Sequence, residues 1–128
     1  MATYEVSAEY AFSARHAIRL PDGQLEPPHE HLWQVTATFR TPRLSRPGGM
    51  VVDFVAVQYA LRTLAEGLEG KDLQDLPAFR EVGSSAERVA EFLAGQLAAR
   101  MPADADKLHR LSVTEAPGCT AAYYPKGA

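Results

Sequence analysis

A chain of 128 residues with 46% apolar and 23% charged positions is large enough for one core, too short for two ordinary domains, and too apolar for a disordered segment, so residues 1–128 are expected to form one domain. Its net charge of −3 supplies no field that would attract nucleic acid or an anionic membrane, which leaves a small molecule or another protein as the expected partner. The lone Cys119 excludes an internal disulfide and a cysteine-rich zinc module, and no apolar run suits a membrane span or a secretory signal; a cytoplasmic protein is predicted.

The first element is legible from alternation. In "TYEVSAEYAFSARH", Tyr4, Val6, Ala8, Tyr10, Phe12, Ala14 and His16 share one parity and polar residues dominate the other, as in a half-buried strand. The loop "AIRLPDGQLEPP" follows, punctuated by Pro-Asp-Gly and Pro-Pro. A second alternating run, "HEHLWQVTATF", places His29, His31, Trp33, Val35, Ala37 and Phe39 inward, with Leu32 as the exception on the other face.

After the loop "TPRLSRPGG" the period changes. Phe54, Val57, Leu61, Leu64 and Leu68 recur at three- and four-residue steps, predicting an amphipathic helix capped by Asp53 and ended by Gly67 and Gly70. An irregular connection leads to "SSAERVAEFLAGQLAARM", a second helix opened by Ser84 or Ser85, with Glu87 placed for a capping box and Val89, Phe92, Leu93 and Leu97 as its core row. Two short strands, "HRLSVTEA" and "TAAYYP", close the chain around the turn "PGC".

Antiparallel pairing of the first two strands brings the end of one beside the start of the next, so His16 would meet His29 and His31 on the inward face. A histidine pair at a strand end is by itself ordinary polar surface. A third histidine of matching parity at the matching end makes a metal site, since three neutral imidazoles leave a fourth position for water or substrate, the arrangement of catalytic zinc centres. Glu115 shares the inward parity of Leu111 and Val113, and a carboxylate there needs donors: a ligand edge with two parallel N–H groups, or a neighbouring arginine or solvent. His109 lies away from this group and reads as ordinary.

These residues resemble the family of 6-pyruvoyl- and 6-carboxy-tetrahydropterin synthases. "FSARH" resembles its F-x-A-x-H, "HEH" its H-G-H, "GMVVDF" its G-M-V-x-D-F, "SAERVA" the opening of its second helix and "VTEAPGCTAAYY" its closing strand pair. The resemblance implies an α+β tunnelling fold (T-fold): a four-stranded antiparallel sheet with two helices on one face, in ββααββ order, assembled as trimers or hexamers whose sheets join into a barrel. It further implies Zn2+ on His16, His29 and His31, and a pterin-type ring anchored by Glu115 near a subunit interface. An open sheet with unpaired edges independently favours homo-oligomerisation.

The departures from the family pattern bear on chemistry. Leu25 stands where the synthases carry a cysteine base, and Glu69 and Gly70 stand where an Asp-His pair is expected. Glu26, beside the missing cysteine, is the candidate base, by resemblance to family branches that use glutamate and cleave the pterin side chain; the alternative is a solvated loop residue. Glu69 is the second candidate for proton transfer, or simply a cap on the connection after the first helix. The expected function is thus a zinc-dependent lyase or isomerase acting on a pterin-like or related polar hydroxy-carbonyl substrate through an altered proton relay. The alternatives are a non-catalytic metal- or pterin-binding homologue and a biosynthetic enzyme with a non-pterin substrate.

Overall fold

The computed structural model describes residues 2–127. Strands β1 (Tyr4–His16) and β2 (His29–Thr41) precede helices α1 (Phe54–Leu68) and α2 (Ala86–Arg100), and strands β3 (Leu108–Ala116) and β4 (Cys119–Tyr123) follow. The four strands form one antiparallel sheet in the order β1-β2-β3-β4, the ββααββ arrangement expected from the sequence.

The core lies between the inward row of the sheet and the apolar faces of the helices. Phe12, Trp33, Phe39, Leu111 and Val113 meet Val57, Leu61, Val89, Leu93 and Leu97, all essentially buried. Trp33 is held twice over: its indole N–H donates to the Ala14 carbonyl at 3.2 Å, and its ring lies parallel to Phe12 with centroids 6.1 Å apart. A buried aromatic with its polar handle satisfied adds rigidity to the end of the sheet that carries the histidines.

Local signals act where they were read, with two differences. Asp53 caps α1 by accepting the Val55 N–H at 2.9 Å, but Phe54 is half exposed because this first turn lies at the outer margin of β1, in a groove shared with Tyr4 and Met50. Ala60 and Ala65 supply the remaining buried contacts of α1. Ser85, not Ser84, caps α2, accepting the Arg88 N–H at 3.2 Å. Glu87 is therefore one position too early to close a capping box, and Ser84 is freed to face the interior, where it is fully buried.

Two bulges shape β3. Thr38 pairs with Arg110 and Phe39 with Leu108, so His109 is an extra residue; its ring rests against Tyr124, with centroids 5.6 Å apart. Thr114 pairs with Thr120 and Ala116 with Cys119, which leaves Glu115 as the second extra residue. Bulges of this kind bend a strand and re-aim a side chain.

Candidate metal centre

The β1–β2 register sets His16 directly opposite His29 and Ala14 opposite His31. Ring centroids are 4.6 Å apart for His16 and His29, 4.6 Å for His29 and His31, and 5.3 Å for His16 and His31. Trp33 forms the apolar wall behind them, 4.9 Å from His16 and 6.0 Å from His31, both edge-on.

Hydrogen bonds orient the first two rings. His16 Nδ1 lies 2.7 Å from the Ser84 carbonyl oxygen. A carbonyl only accepts, so Nδ1 carries the proton, and Nε2 is the nitrogen whose lone pair the neutral ring would present to the cluster. The Ser84 hydroxyl in turn donates to the Ala17 carbonyl at 3.2 Å, tying the start of α2 to the end of β1. His29 Nδ1 is 3.3 Å from the Pro27 carbonyl, which selects the same tautomer. An imidazole whose distal N–H is held by a carbonyl is the usual outer support of a metal ligand.

The electrostatics favour a neutral His31. Burial holds the His31 imidazole below its ordinary pKa, the neighbouring Glu115 carboxylate opposes that shift, and His29 and His16 reinforce it. His16 is only 2% exposed, and its Nε2 is the one buried side-chain nitrogen or oxygen without a hydrogen-bond partner among the described residues. A buried nitrogen left without a partner in this way is suited to hold an ion.

Glu115 stands closer to the histidines than its sequence position suggested. Its Oε1 is 2.6 Å from His16 Nε2 and 3.7 Å from His31 Nε2. One donor atom from each of His16, His29, His31 and Glu115 falls within 4.8 Å of every other. Donors of this number and type, at this spacing and with second-sphere support, fit a zinc ion.

The two candidate proton-transfer residues occupy different places. Glu26 Oε1 accepts the Ile18 N–H at 3.1 Å and lies 3.7 Å from His29 Nδ1, so the structure brings it to the rim of the cluster. Glu69 is outside the cluster, at the outer edge of β1, where both carboxylate oxygens face the Ser13 N–H at 3.3 and 3.2 Å. The following residues continue along that edge: Gly70 N–H donates to the Ser13 carbonyl at 2.7 Å, Arg15 N–H to the Lys71 carbonyl at 2.9 Å, and the Arg15 guanidinium to Asp72 at 2.7 and 3.1 Å. Ser84 and Pro27, whose carbonyls orient the rings, were not identified as site residues from the sequence, because a backbone acceptor leaves no side-chain signature.

The fold and the site together define a T-fold protein with a histidine–glutamate cluster able to hold a metal. The chain belongs to the 6-pyruvoyl tetrahydropterin synthase family, whose model matches residues 5–126. The sequence comparison with curated proteins finds no match. Among solved structures, the Caenorhabditis elegans 6-pyruvoyl tetrahydropterin synthase superposes with a TM-score of 0.82 at 19% identity, covering 97% of this chain and 96% of that one. The Plasmodium falciparum synthase superposes with a TM-score of 0.73 at 20% identity, covering 97% and 99%. A Plasmodium vivax synthase in which a catalytic glutamate is replaced by alanine superposes with a TM-score of 0.71 at 17% identity, covering 96% and 98%. No helix of the described residues is long and apolar enough to cross a membrane.

Proposed function

We propose that this protein is a zinc-dependent lyase of the pterin synthase family, acting on a pterin-like or related polar hydroxy-carbonyl substrate with glutamate in place of the cysteine base. The observation that carries this reading is the convergence of His16, His29 and His31, with His16 and His29 each supported at Nδ1 by a backbone carbonyl. Zinc held there would polarise vicinal substrate oxygens and acidify the adjacent hydroxyl or C–H.

The chain's own residues supply the rest. Glu26 is the base: its Oε1 is fixed by the Ile18 N–H beside His29, and its other carboxylate oxygen is the one offered to a substrate proton. The Plasmodium vivax synthases carrying alanine or cysteine in place of a catalytic glutamate support glutamate in this role. Glu115 orients the substrate ring through paired N–H donors. Glu69 is the second proton-transfer candidate, and its bond to Ser13 gives it a competing role as a clamp on the sheet edge.

The proposal includes homo-oligomerisation in the cytoplasm, as a trimer or hexamer with the site near a subunit interface. The outer edge of β1 ahead of Ser13, which pairs with no other strand among the described residues, and the exposed Tyr4, Phe54, Val55 and Tyr59 beside it support that assembly. Multi-angle light scattering would read the state directly.

The test is to purify the protein, quantify zinc per chain, and incubate it with dihydroneopterin triphosphate and with dihydroneopterin while following products by mass spectrometry. Stoichiometric zinc and conversion of either compound is the expected result. Bound zinc with no turnover of either would refute pterin chemistry, and full zinc content in His29→Ala and His31→Ala proteins would refute the ligand assignment.

A further inference from the structure

His16 and Glu115 make an unusual contact, and the inference drawn from it rests on the zinc site proposed for this protein. His16 Nδ1 spends its proton on the Ser84 carbonyl, so in the neutral ring Nε2 and the Glu115 Oε1 only 2.6 Å away are both electron-pair donors. The approach lacks hydrogen-bond geometry, for Nε2 has no hydrogen-bond partner among the described residues. Two lone pairs held in contact inside a pocket where His16 is 2% exposed repel each other unless a proton or a metal cation is shared between them, and the missing hydrogen-bond geometry at Nε2 favours the metal.

We propose that in the substrate-free protein Glu115 is the fourth ligand of the metal held by His16, His29 and His31, and that it yields this position when substrate arrives. All four donor atoms lie within 4.8 Å of one another, so the carboxylate completes a four-coordinate set of three nitrogens and one oxygen. The bulge that leaves Glu115 unpaired against β4 aims it at the histidines and spares it the constraint of a paired ladder position.

The same carboxylate has a second place to go. Glu115 lines a cleft of about 280 Å3 bounded by Glu87, Gly118, Cys119 and Thr120, and its side chain is 25% exposed. It therefore stands between the metal donors and the cleft. A planar heterocycle presenting two parallel N–H groups in that cleft would draw the carboxylate away from the histidines and leave its position open to the substrate's oxygens. Glu115 leaves as the carboxylate it already is, so the exchange moves no proton and no electron. The device couples ring recognition to opening of the metal: a ligand without the N–H pair meets a closed site.

The experiment replaces zinc with Co2+ and titrates imidazole, a neutral ligand, into the wild-type and Glu115→Gln proteins while following the d–d absorption. Imidazole should bind the variant about tenfold or more tightly than the wild type, because only the wild type must first release a protein ligand. Equal affinity in two folded, cobalt-loaded proteins would overturn the inference and leave the metal site standing. Failure of the wild type to bind either metal would overturn both. A measurement free of any variant complements it: the infrared difference between zinc-loaded and zinc-free wild type should contain a carboxylate stretch, and its absence counts against Glu115 as a ligand.

Discussion

Glu26 holds its loop and is the proposed base, and substitution can separate the two roles. One oxygen of its carboxylate accepts the Ile18 N–H at 3.1 Å, while its own N–H donates to the Ile18 carbonyl at 3.0 Å. Glu26→Ala removes the first bond and leaves the second. For a part-buried bond of this length the loss is about 1 kcal/mol, or about 3–5 °C in Tm for a domain of this size. Glu26→Gln keeps an acceptor oxygen toward Ile18 and should unfold within about 1 °C of the wild type. If Glu26 is the base, both variants should nevertheless lose about 10²- to 10⁴-fold in kcat at unchanged zinc content, the usual contribution of a positioned general base. Thermal unfolding, metal analysis and turnover on the pterin substrates measure the three quantities on the same preparations. A Glu26→Gln protein that turns over within about twofold of wild type would refute the assignment, because it preserves the loop and lacks only the base.

Other expectations follow from the same geometry. His16→Ala should abolish metal binding and also lower stability by about 2–4 kcal/mol, since it leaves the buried Ser84 carbonyl unsatisfied beside a cavity; His31→Ala, on a more exposed ring, should lose metal at smaller cost in a urea titration. Burial lowers the His31 pKa in the folded chain. The unfolded chain therefore takes up that proton first as the pH falls below about 6.5, and the metal-free protein should lose stability through that window and toward the depressed folded value. Urea midpoints in EDTA from pH 7.5 to 5 should show the loss, reduced in His31→Asn; an identical slope in the variant would assign it elsewhere. Glu69→Gln should lower Tm with an unchanged pH profile if the residue only clamps the Ser13 edge, whereas loss of one limb of the pH–rate profile would establish proton transfer. Trp33→Ala should cost about 3–5 kcal/mol and reduce zinc affinity, because the indole is the wall behind His16 and His31.

Period-two alternation determined β1 and β2 and the face on which His16, His29 and His31 lie, because side chains on a strand alternate whatever the rest of the chain does. The three- and four-residue steps determined α1 and α2, and the Asp53 cap is a local matter that the sequence states outright. Parity does not set register, however. A slip of two residues keeps all three histidines inward yet separates His16 from His29, and a 12-residue connection is too long for turn chemistry to forbid it. The register is fixed by the loop's own pairing, Glu26 to Ile18 and Arg19 to Leu25, together with the Gln74 side chain that accepts the Ala17 N–H at 3.1 Å. The placement of Glu115 is likewise tertiary: only when β3 adds beside β2 and bulges at position 115 does a carboxylate distant in the sequence come within 2.6 Å of His16. The sequence by itself thus determined which side chains share a face; tertiary structure decided which of them touch, because contacts between distant segments depend on register, bulges and backbone carbonyls such as that of Ser84, none of which is encoded by residue type at the position concerned.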